Sequence, residues 1–284
     1  MVHYPDYTIR TMTRPEVDFA IEWAAREGWK PGLGDAECFY NTDPSGFLIG
    51  LLGNKPVGAV SAVRYGSSFG FIGLYIVLPE YRGTSLGFRL GRAALKRLSG
   101  RTIGLDGVLE RQENYRQIGF EFAYSNMRFE GSGGGKQSCR QGIRPLSELP
   151  FDELLAYDQP FFPDERKTFL ECWIKQLGCT ALGIIEHDRL AGYGIIRSCR
   201  TGYKIGPLFA DRPDLAEELF SALKASVPDG APICLDIPEV NSFALELVKR
   251  HNMKVVFKTA RMYKGVMPEL PVERIFGITT FELG

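Results

Sequence analysis

The 284-residue chain carries 34 lysines and arginines against 34 aspartates and glutamates, so its formal charge is zero. A hydrophobic fraction of 44% is ample for a packed core, and the length suggests two domains. The even charge argues against non-specific binding to nucleic acid, which calls for a surplus of lysine and arginine. The opening residues lack the charged-then-apolar layout of a secretory signal, and no apolar run is long enough to span a bilayer, so a cytoplasmic protein without a membrane partner is expected. Six cysteines without a C-x-x-C pair and three histidines make neither a disulfide framework nor a zinc site, and no metal is expected.

Taken in chain order, Pro15 to Glu27 has Val17, Ile21 and Ala24 on one face and reads as a helix. Phe47 to Leu52, Pro56 to Tyr65 and Ser68 to Val77 are β-rich runs broken by turn residues, an antiparallel meander. Gly87 to Leu98 is an amphipathic helix. A strand from Ile103 to Leu105, a helix from Leu109 to Gln117 and a strand from Phe120 to Phe129 follow. The glycine-rich run at 131–138 reads as a linker. Beyond it the order repeats, with strands Thr180 to Ile185, Leu190 to Cys199 and Tyr203 to Phe209, helix Pro213 to Ser226, strand Ile233 to Ile237, helix Asn241 to Arg250 and strand Val255 to Tyr263. Gly58 corresponds to Gly192, and Asp106 to Asp236, so two copies of one α/β unit are expected. The boundaries are 1–130, linker 131–138, 139–266 and a C-terminal extension 267–284 whose weak alternation suits an extra strand. The fold class is α/β (α+β), each domain a mixed, mostly antiparallel sheet flanked by helices.

The stretch from Tyr75 to Leu90 runs from an apolar strand through a loop with Arg82, Gly83 and Gly87 into a helix. Unpaired N–H groups and the dipole at that helix start form an anion site, and Arg82 adds a permanent charge. Arg89 and Arg92 gather nearby. A turn whose glycines serve only the connection is the structural alternative. Arg82-Gly83-Thr84-Ser85-Leu86-Gly87 resembles the acetyl-CoA pyrophosphate loop of the GNAT superfamily of N-acetyltransferases, with Ser85 in place of the middle glycine. The resemblance covers most of residues 8 to 129 and extends to a two-domain subgroup whose second domain is degenerate. It implies that the main chain of Ile76, Val77 and Leu78 pairs with the pantetheine arm, and that Arg82, Gly83, Thr84, Ser85, Leu86 and Gly87 hold the pyrophosphate. Tyr115, in Tyr-Arg-Gln-Ile-Gly119-Phe120, matches the tyrosine that protonates the leaving thiolate in many members.

In the second copy, Ala210 to Phe220 has no glycine and carries Asp214, Glu217 and Glu218 where phosphate would sit, and Val248 stands where Tyr115 does. Cofactor binding there is not expected. For the general base, Asp106 and Glu27 are the candidates, although the repeat of Asp106 in Asp236 equally suits a structural pair. Trp29 and Asp35 lie where the family forms its acceptor wall. They suit a cationic amine by ring-face attraction and ion pairing, or equally serve as a hydrophobic plug and a helix cap. Phe161 and Phe162 either line the acceptor site or seal the domain interface. The resemblance implies an acetyl-CoA-dependent N-acetyltransferase acting by direct attack of a small-molecule or peptide primary amine, with acetyl-CoA as cosubstrate. An acyl-CoA sensor without turnover and an aminoacyl or long-acyl transferase are the alternatives.

Overall fold

The computed structural model describes Tyr4 and residues 6–135 and 142–284. In the first half β1 (Tyr7–Thr11), α1 (Arg14–Arg26) and α2 (Asp35–Thr42) lead into the meander β2 (Phe47–Leu52), β3 (Lys55–Tyr65) and β4 (Phe69–Val77). Then come α3 (Ser85–Arg97), β5 (Thr102–Val108), α4 (Gln112–Gln117) and β6 (Glu121–Ser132). The second half has β7 (Ile143–Pro145), α5 (Phe151–Asp158), α6 (Lys167–Trp173) and its own meander β8 (Cys179–Glu186), β9 (Arg189–Ser198) and β10 (Tyr203–Ala210). It ends with α7 (Pro213–Ala225), β11 (Pro232–Pro238), α8 (Ser242–Arg250), β12 (Lys254–Lys264) and β13 (Ile275–Gly277). Among the described residues no helix is long and apolar enough to cross a membrane.

The expected repeat is present element for element. Gly58 and Gly192 occupy matching places: a Cβ on Gly58 would lie 3.1 Å from the Ile76 carbonyl and 3.2 Å from Leu90, and one on Gly192 2.9 Å from the Phe209 carbonyl and 3.0 Å from Leu219. Each glycine lets a helix leucine settle onto the sheet. Gly119 and Asn252, both at positive φ (90° and 53°), terminate α4 and α8 in the same way.

The division of the chain into 1–130 and 139–266 does not survive as a division of the sheet. Thirteen strands join one sheet in the order β1-β2-β3-β4-β5-β12-β6-β11-β10-β9-β8-β7, with β13 on β10. The last strand of each half therefore completes the other half: β12 pairs with β5, β6 pairs with β11, and the two exchanged strands pair with each other. Gly131 and Ser132, expected in the linker, are the end of β6 opposite Ile233 and Pro232. Residues 136–138 of the linker, and Cys139, lie outside the described residues.

Paired charges hold the exchange in place. Asp106 on β5 accepts two hydrogen bonds from Arg261 on β12 (3.0 and 2.6 Å), and Asp236 on β11 accepts two from Arg128 on β6 (both 2.7 Å). All four side chains are buried. The main hydrophobic cluster lies between the halves: Phe39 of α2 stacks on Trp173 of α6 with centroids 6.0 Å apart, and Phe162 meets Tyr65 and Phe69 edge-on. Phe162 therefore seals the interface, while Phe161 stacks on Phe209 within the second half at 4.3 Å.

Candidate functional site

β4 and β5 are parallel neighbours only from Phe69–Thr102 to Ile72–Leu105. Both strands continue, β4 to Val77 and β5 to Val108, without pairing further, so a gap opens in the middle of the sheet. Its origin is a bulge on β4. Leu74 adopts φ +45°, an unusual geometry for leucine, the β3–β4 register shifts there, and the Gly73 N–H turns to Ser61 Oγ (3.1 Å). Beyond the bulge the Leu78 N–H is spent on the Val57 carbonyl (3.0 Å). Alternation along an antiparallel strand then turns Ile76 and Leu78 main chain toward β3, and Tyr75 and Val77 main chain toward the gap. Of the three residues expected to face a pantetheine arm, Val77 turns its main chain toward the gap; Ile76 and Leu78 are committed to the ladder, and Tyr75 main chain is turned toward the gap as well.

The gap ends at the start of α3. The helix begins at Ser85, so Gly87 lies inside its first turn and not in the loop. A Cβ on Gly87 would meet Val77 at 3.2 Å, and the Tyr75 hydroxyl donates to the Gly87 carbonyl (2.6 Å), tying helix to strand. Thr84 caps the helix: its Oγ1 accepts from the Leu86 N–H (3.4 Å) and donates to the Tyr81 carbonyl (2.6 Å). Gly83 has φ +77° and nothing within 4 Å of where a Cβ would stand, so the loop meets open space there. Arg82 donates Nε to the Val77 carbonyl (2.9 Å) and Nη2 to Glu27 (2.5 Å). Arg89 is spent on the Tyr4 and Tyr7 carbonyls and Arg92 lies over the Phe88 ring, so of the three arginines Arg82 alone borders the loop.

Tyr115 packs edge-on against Phe120 (6.2 Å), and only a glycine at 107 admits its ring, since a Cβ there would lie 2.5 Å from it. Burial, and secondarily the neighbouring Tyr75 hydroxyl, push its pKa up to about 12, which keeps the phenol protonated. The other expected site residues are committed elsewhere. Asp106 has no exposed side-chain surface and accepts from Arg261 and from Asn126 Nδ2 (2.7 Å), which places it in a structural pair and leaves it no free role as base. Burial raises its pKa against the opposing pull of Arg261. Glu27, at the end of α1, holds Arg82. Asp35 is fully buried, accepts from Arg197 (2.8 and 3.3 Å) and from the Gly32 N–H (2.7 Å), and so cannot meet an acceptor amine. The Trp29 ring packs on the inter-half core while its carbonyl receives Arg128 Nη1 (2.7 Å) and Lys204 Nζ (3.3 Å).

The second half has the same gap in principle. β10 and β11 pair only from Tyr203–Ile233 to Ile205–Leu235, and a bulge follows at Gly206-Pro207. Here, however, β13 fills the opening. Its Gly277 and Ile275 pair with Leu208 and Phe209, and the Ile278 N–H donates to the Asp236 carbonyl (2.8 Å). The loop is also gone: only Asp211 and Arg212 separate β10 from α7, where residues 78–84 separate β4 from α3. Arg212 is held by Glu186 and Asp214, and Glu217 faces His251 and Arg250 on α8.

Two family models match the chain. The Acetyltransferase (GNAT) family matches residues 15–120 and the Acetyltransferase (GNAT) domain residues 154–277. The holothin acyltransferase of Pseudoalteromonas sp. (strain SANK 73390) is 31% identical over 284 residues, all of this chain and 97% of that protein. This chain is a tandem member of the GNAT acyltransferase family. A Pyrococcus horikoshii structure assigned to the acetyltransferases superimposes with TM-score 0.83 at 26% identity, covering 100% of this chain and 98% of that one. The tandem GNAT protein of the clavulanic acid biosynthesis pathway shares the fold, with TM-score 0.63 at 13% identity over 93% of this chain and 100% of that one. GNAT enzymes use an acyl-CoA cosubstrate, and the open gap with its glycine loop lies in the half matched by the family model at 15–120.

Sequence reasoning missed the polar face of the exchanged strands, where Asn126, Arg128, Thr259 and Arg261 lie between the halves. The signal was available: Arg128 and Arg261 stand at equivalent points of the two final strands, opposite the two aspartates that the repeat had already matched.

Proposed function

We propose that the protein transfers an acetyl group from acetyl-CoA to a primary amine. The observation that carries this reading is the contrast between the two gaps: the one in the first half is open and ends at a capped helix start, while its counterpart is filled by the chain itself. The first-turn N–H groups of α3 and the Gly83 loop would receive the pyrophosphate, and Arg82 would neutralise it by exchanging Glu27 for phosphate. Val77 and Tyr75 main chain would bind the pantetheine amides along the gap. Acetyl-CoA supplies the activated thioester. The amine nitrogen attacks the thioester carbon, the C–N bond forms as the C–S bond breaks, and the Tyr115 hydroxyl stands as hydrogen-bond donor for the departing sulfur.

A short acyl group suits the space. The main chain of Glu282 closes the inner face of the bulge so tightly that a Cβ on Gly73 would lie 1.8 Å from its carbonyl oxygen. The Tyr65 hydroxyl fixes the next residue by donating to the Leu283 carbonyl (3.0 Å). The commitment of Asp106 and Glu27 to arginines would also fit a sensor without turnover, and acceptor-dependent release of free thiol separates the two. Because the related protein acts on holothin, holothin is the first acceptor to try. The reading as a whole is tested by Gly83→Asp. A carboxylate on that loop should weaken acetyl-CoA binding by roughly 100-fold or more in calorimetry, from charge repulsion and loss of glycine's access to positive φ. An unchanged affinity would remove the loop from the site.

A further inference from the structure

Buried polar atoms in a folded protein have hydrogen-bond partners, and exceptions call for an explanation. Among the described residues, four of the unpartnered buried atoms lie in the seam between the halves: Asn126 Oδ1, Thr259 Oγ1, Glu282 Oε1 and Arg197 Nη1. The three oxygens share one situation. Asn126 and Thr259 are direct cross-strand partners on β6 and β12, and both are buried. Asn126 lies on the same face as Asp106, to which its Nδ2 donates, and this bond fixes its Oδ1 pointing away from the carboxylate. Thr259 is opposite Val108, two pairs further along the unpaired end of β5 than Asp106 and Arg261 and so on the same face of the sheet. Asp106 is the first residue of β5 beyond the part paired with β4, so these side chains border the gap on its inner face.

Glu282 reaches the same face from the other side. Its main chain lies on Gly73 at the bulge, and the preceding Phe281 ring lies 4.8 Å from the Arg128 guanidinium and 6.1 Å from the Phe257 ring. Phe257 and Arg128 are two pairs along from Thr259 and Asn126, on the same face. The Glu282 carboxylate meets the Thr280 hydroxyl through Oε2 only. Of the two guanidiniums whose charge reaches Glu282, Arg128 is engaged by Asp236, and Arg197 is held by Asp35 through Nε and Nη2 while its Nη1 has no partner. One oxygen of a buried carboxylate and two neutral oxygens, each without a donor, make a place that a group rich in N–H bonds and carrying positive charge would satisfy.

We propose that Asn126 Oδ1, Thr259 Oγ1 and Glu282 Oε1 form the seat of the acceptor's primary ammonium, with Glu282 taking the proton the amine must lose before attack. The proton moves from R–NH3+ to the carboxylate, giving R–NH2 and a neutral carboxyl, and the nitrogen lone pair then forms the C–N bond as the C–S bond breaks; the second proton that the nitrogen sheds balances the one the departing sulfur takes up from the Tyr115 hydroxyl, leaving the amide and the free thiol. The proposal rests on the acetyl-transfer reading above. It answers why the two carboxylates nearest the gap in sequence are both tied to arginines: the base comes from residue 282, folded back across the seam.

Thr259→Val and Glu282→Gln test it, each compared with wild type for acetyl-CoA affinity by calorimetry and for thiol release against 2-phenylethylamine and holothin as acceptors. Thr259→Val removes a hydroxyl that has no partner, so a purely structural residue would leave both acceptors' kinetics untouched. The seat instead demands a rise of roughly 3–10-fold in acceptor KM, the worth of one hydrogen bond, with acetyl-CoA affinity and melting temperature held. Glu282→Gln should cut kcat at least about tenfold with acetyl-CoA affinity retained. Wild-type kinetics in both variants would overturn the seat, as would acetyl-CoA binding without acceleration by either amine in wild type. Failure of wild type to bind acetyl-CoA at all strikes the acetyl-transfer reading itself and takes the seat with it.

Discussion

The two halves bend at the same place in the sheet and meet opposite fates there. In the first, the strands part after Ile72 and Leu105; in the second, they part after Ile205 and Leu235, and residues 275–278 occupy the opening. One segment of chain does both jobs. After pairing with β10 its Thr279 carbonyl lies 2.5 Å from where a Gly206 Cβ would be, and three residues later the Glu282 carbonyl stands against Gly73. The second bulge thus receives the protein's own backbone, and beside it the glycine loop is missing and the helix starts at Pro213, which has no N–H to offer.

The sharpest way to break this comparison is through the exchanged charge pairs. Against the upward push of burial, Arg128, Lys204 and Arg197 hold Asp236 below its usual range, while Asp106, with Arg261 as its main support, is raised by burial. A depressed carboxyl stabilises the fold above its unfolded pKa and loses that contribution as pH falls through the folded value; a raised one behaves in the opposite sense, its contribution waning as pH rises. Asp236→Asn should therefore cost about 3–5 kcal/mol at neutral pH, by leaving Arg128 buried without its partner, and Asp106→Asn distinctly less. Urea denaturation reads both, and equal costs would erase the asymmetry.

Gly277→Val comes next. A Cβ there would lie 2.6 Å from Leu235 Cδ1, so the side chain should push β13 off β10 at a cost of about 1–3 kcal/mol in thermal unfolding. Acetyl-CoA affinity should not move; a second equivalent of bound acetyl-CoA in the variant would mean the filled gap is a site held shut. The smallest effect is at Tyr115. Replacement by phenylalanine should slow turnover about tenfold, the value of one hydrogen bond to a charged group, without weakening acetyl-CoA binding. Because its pKa is pushed up to about 12, the proton is present at all lower pH, so the rate should show no alkaline fall from this group below about pH 10.

Much of this architecture was legible in the residues. The helical and alternating periodicities located both meanders and the helices after them to within a few positions, and Gly58 with Gly192 pinned the repeat because both must pass under a helix leucine. The short elements β1, α2, β7, α5 and α6 escaped, since three to eight residues hold too little periodicity to register. The strand exchange escaped for a different reason: the side-chain pattern of β6 is the same whichever edge it joins, and only the partner of Arg128 tells them apart. At the site, Gly83 meets open space, as a loop expected to receive a phosphate requires, whereas Asp106 and Asp35, marked for chemistry, are held by arginines far away in sequence. Glu282 could not be found because nothing local announces that an extended tail will return to the middle of the sheet.

The exchange of β6 and β12 also sets a timetable. A nascent first half emerges from the ribosome with the outer edge of β5 bare, and the strand that covers it is not synthesised until about 130 residues later, on the order of ten seconds at common elongation rates. Neither half can be released as a finished body. The half whose gap is filled by its own chain owns a strand that the half with the open gap needs, so neither can be deleted without unpairing the other.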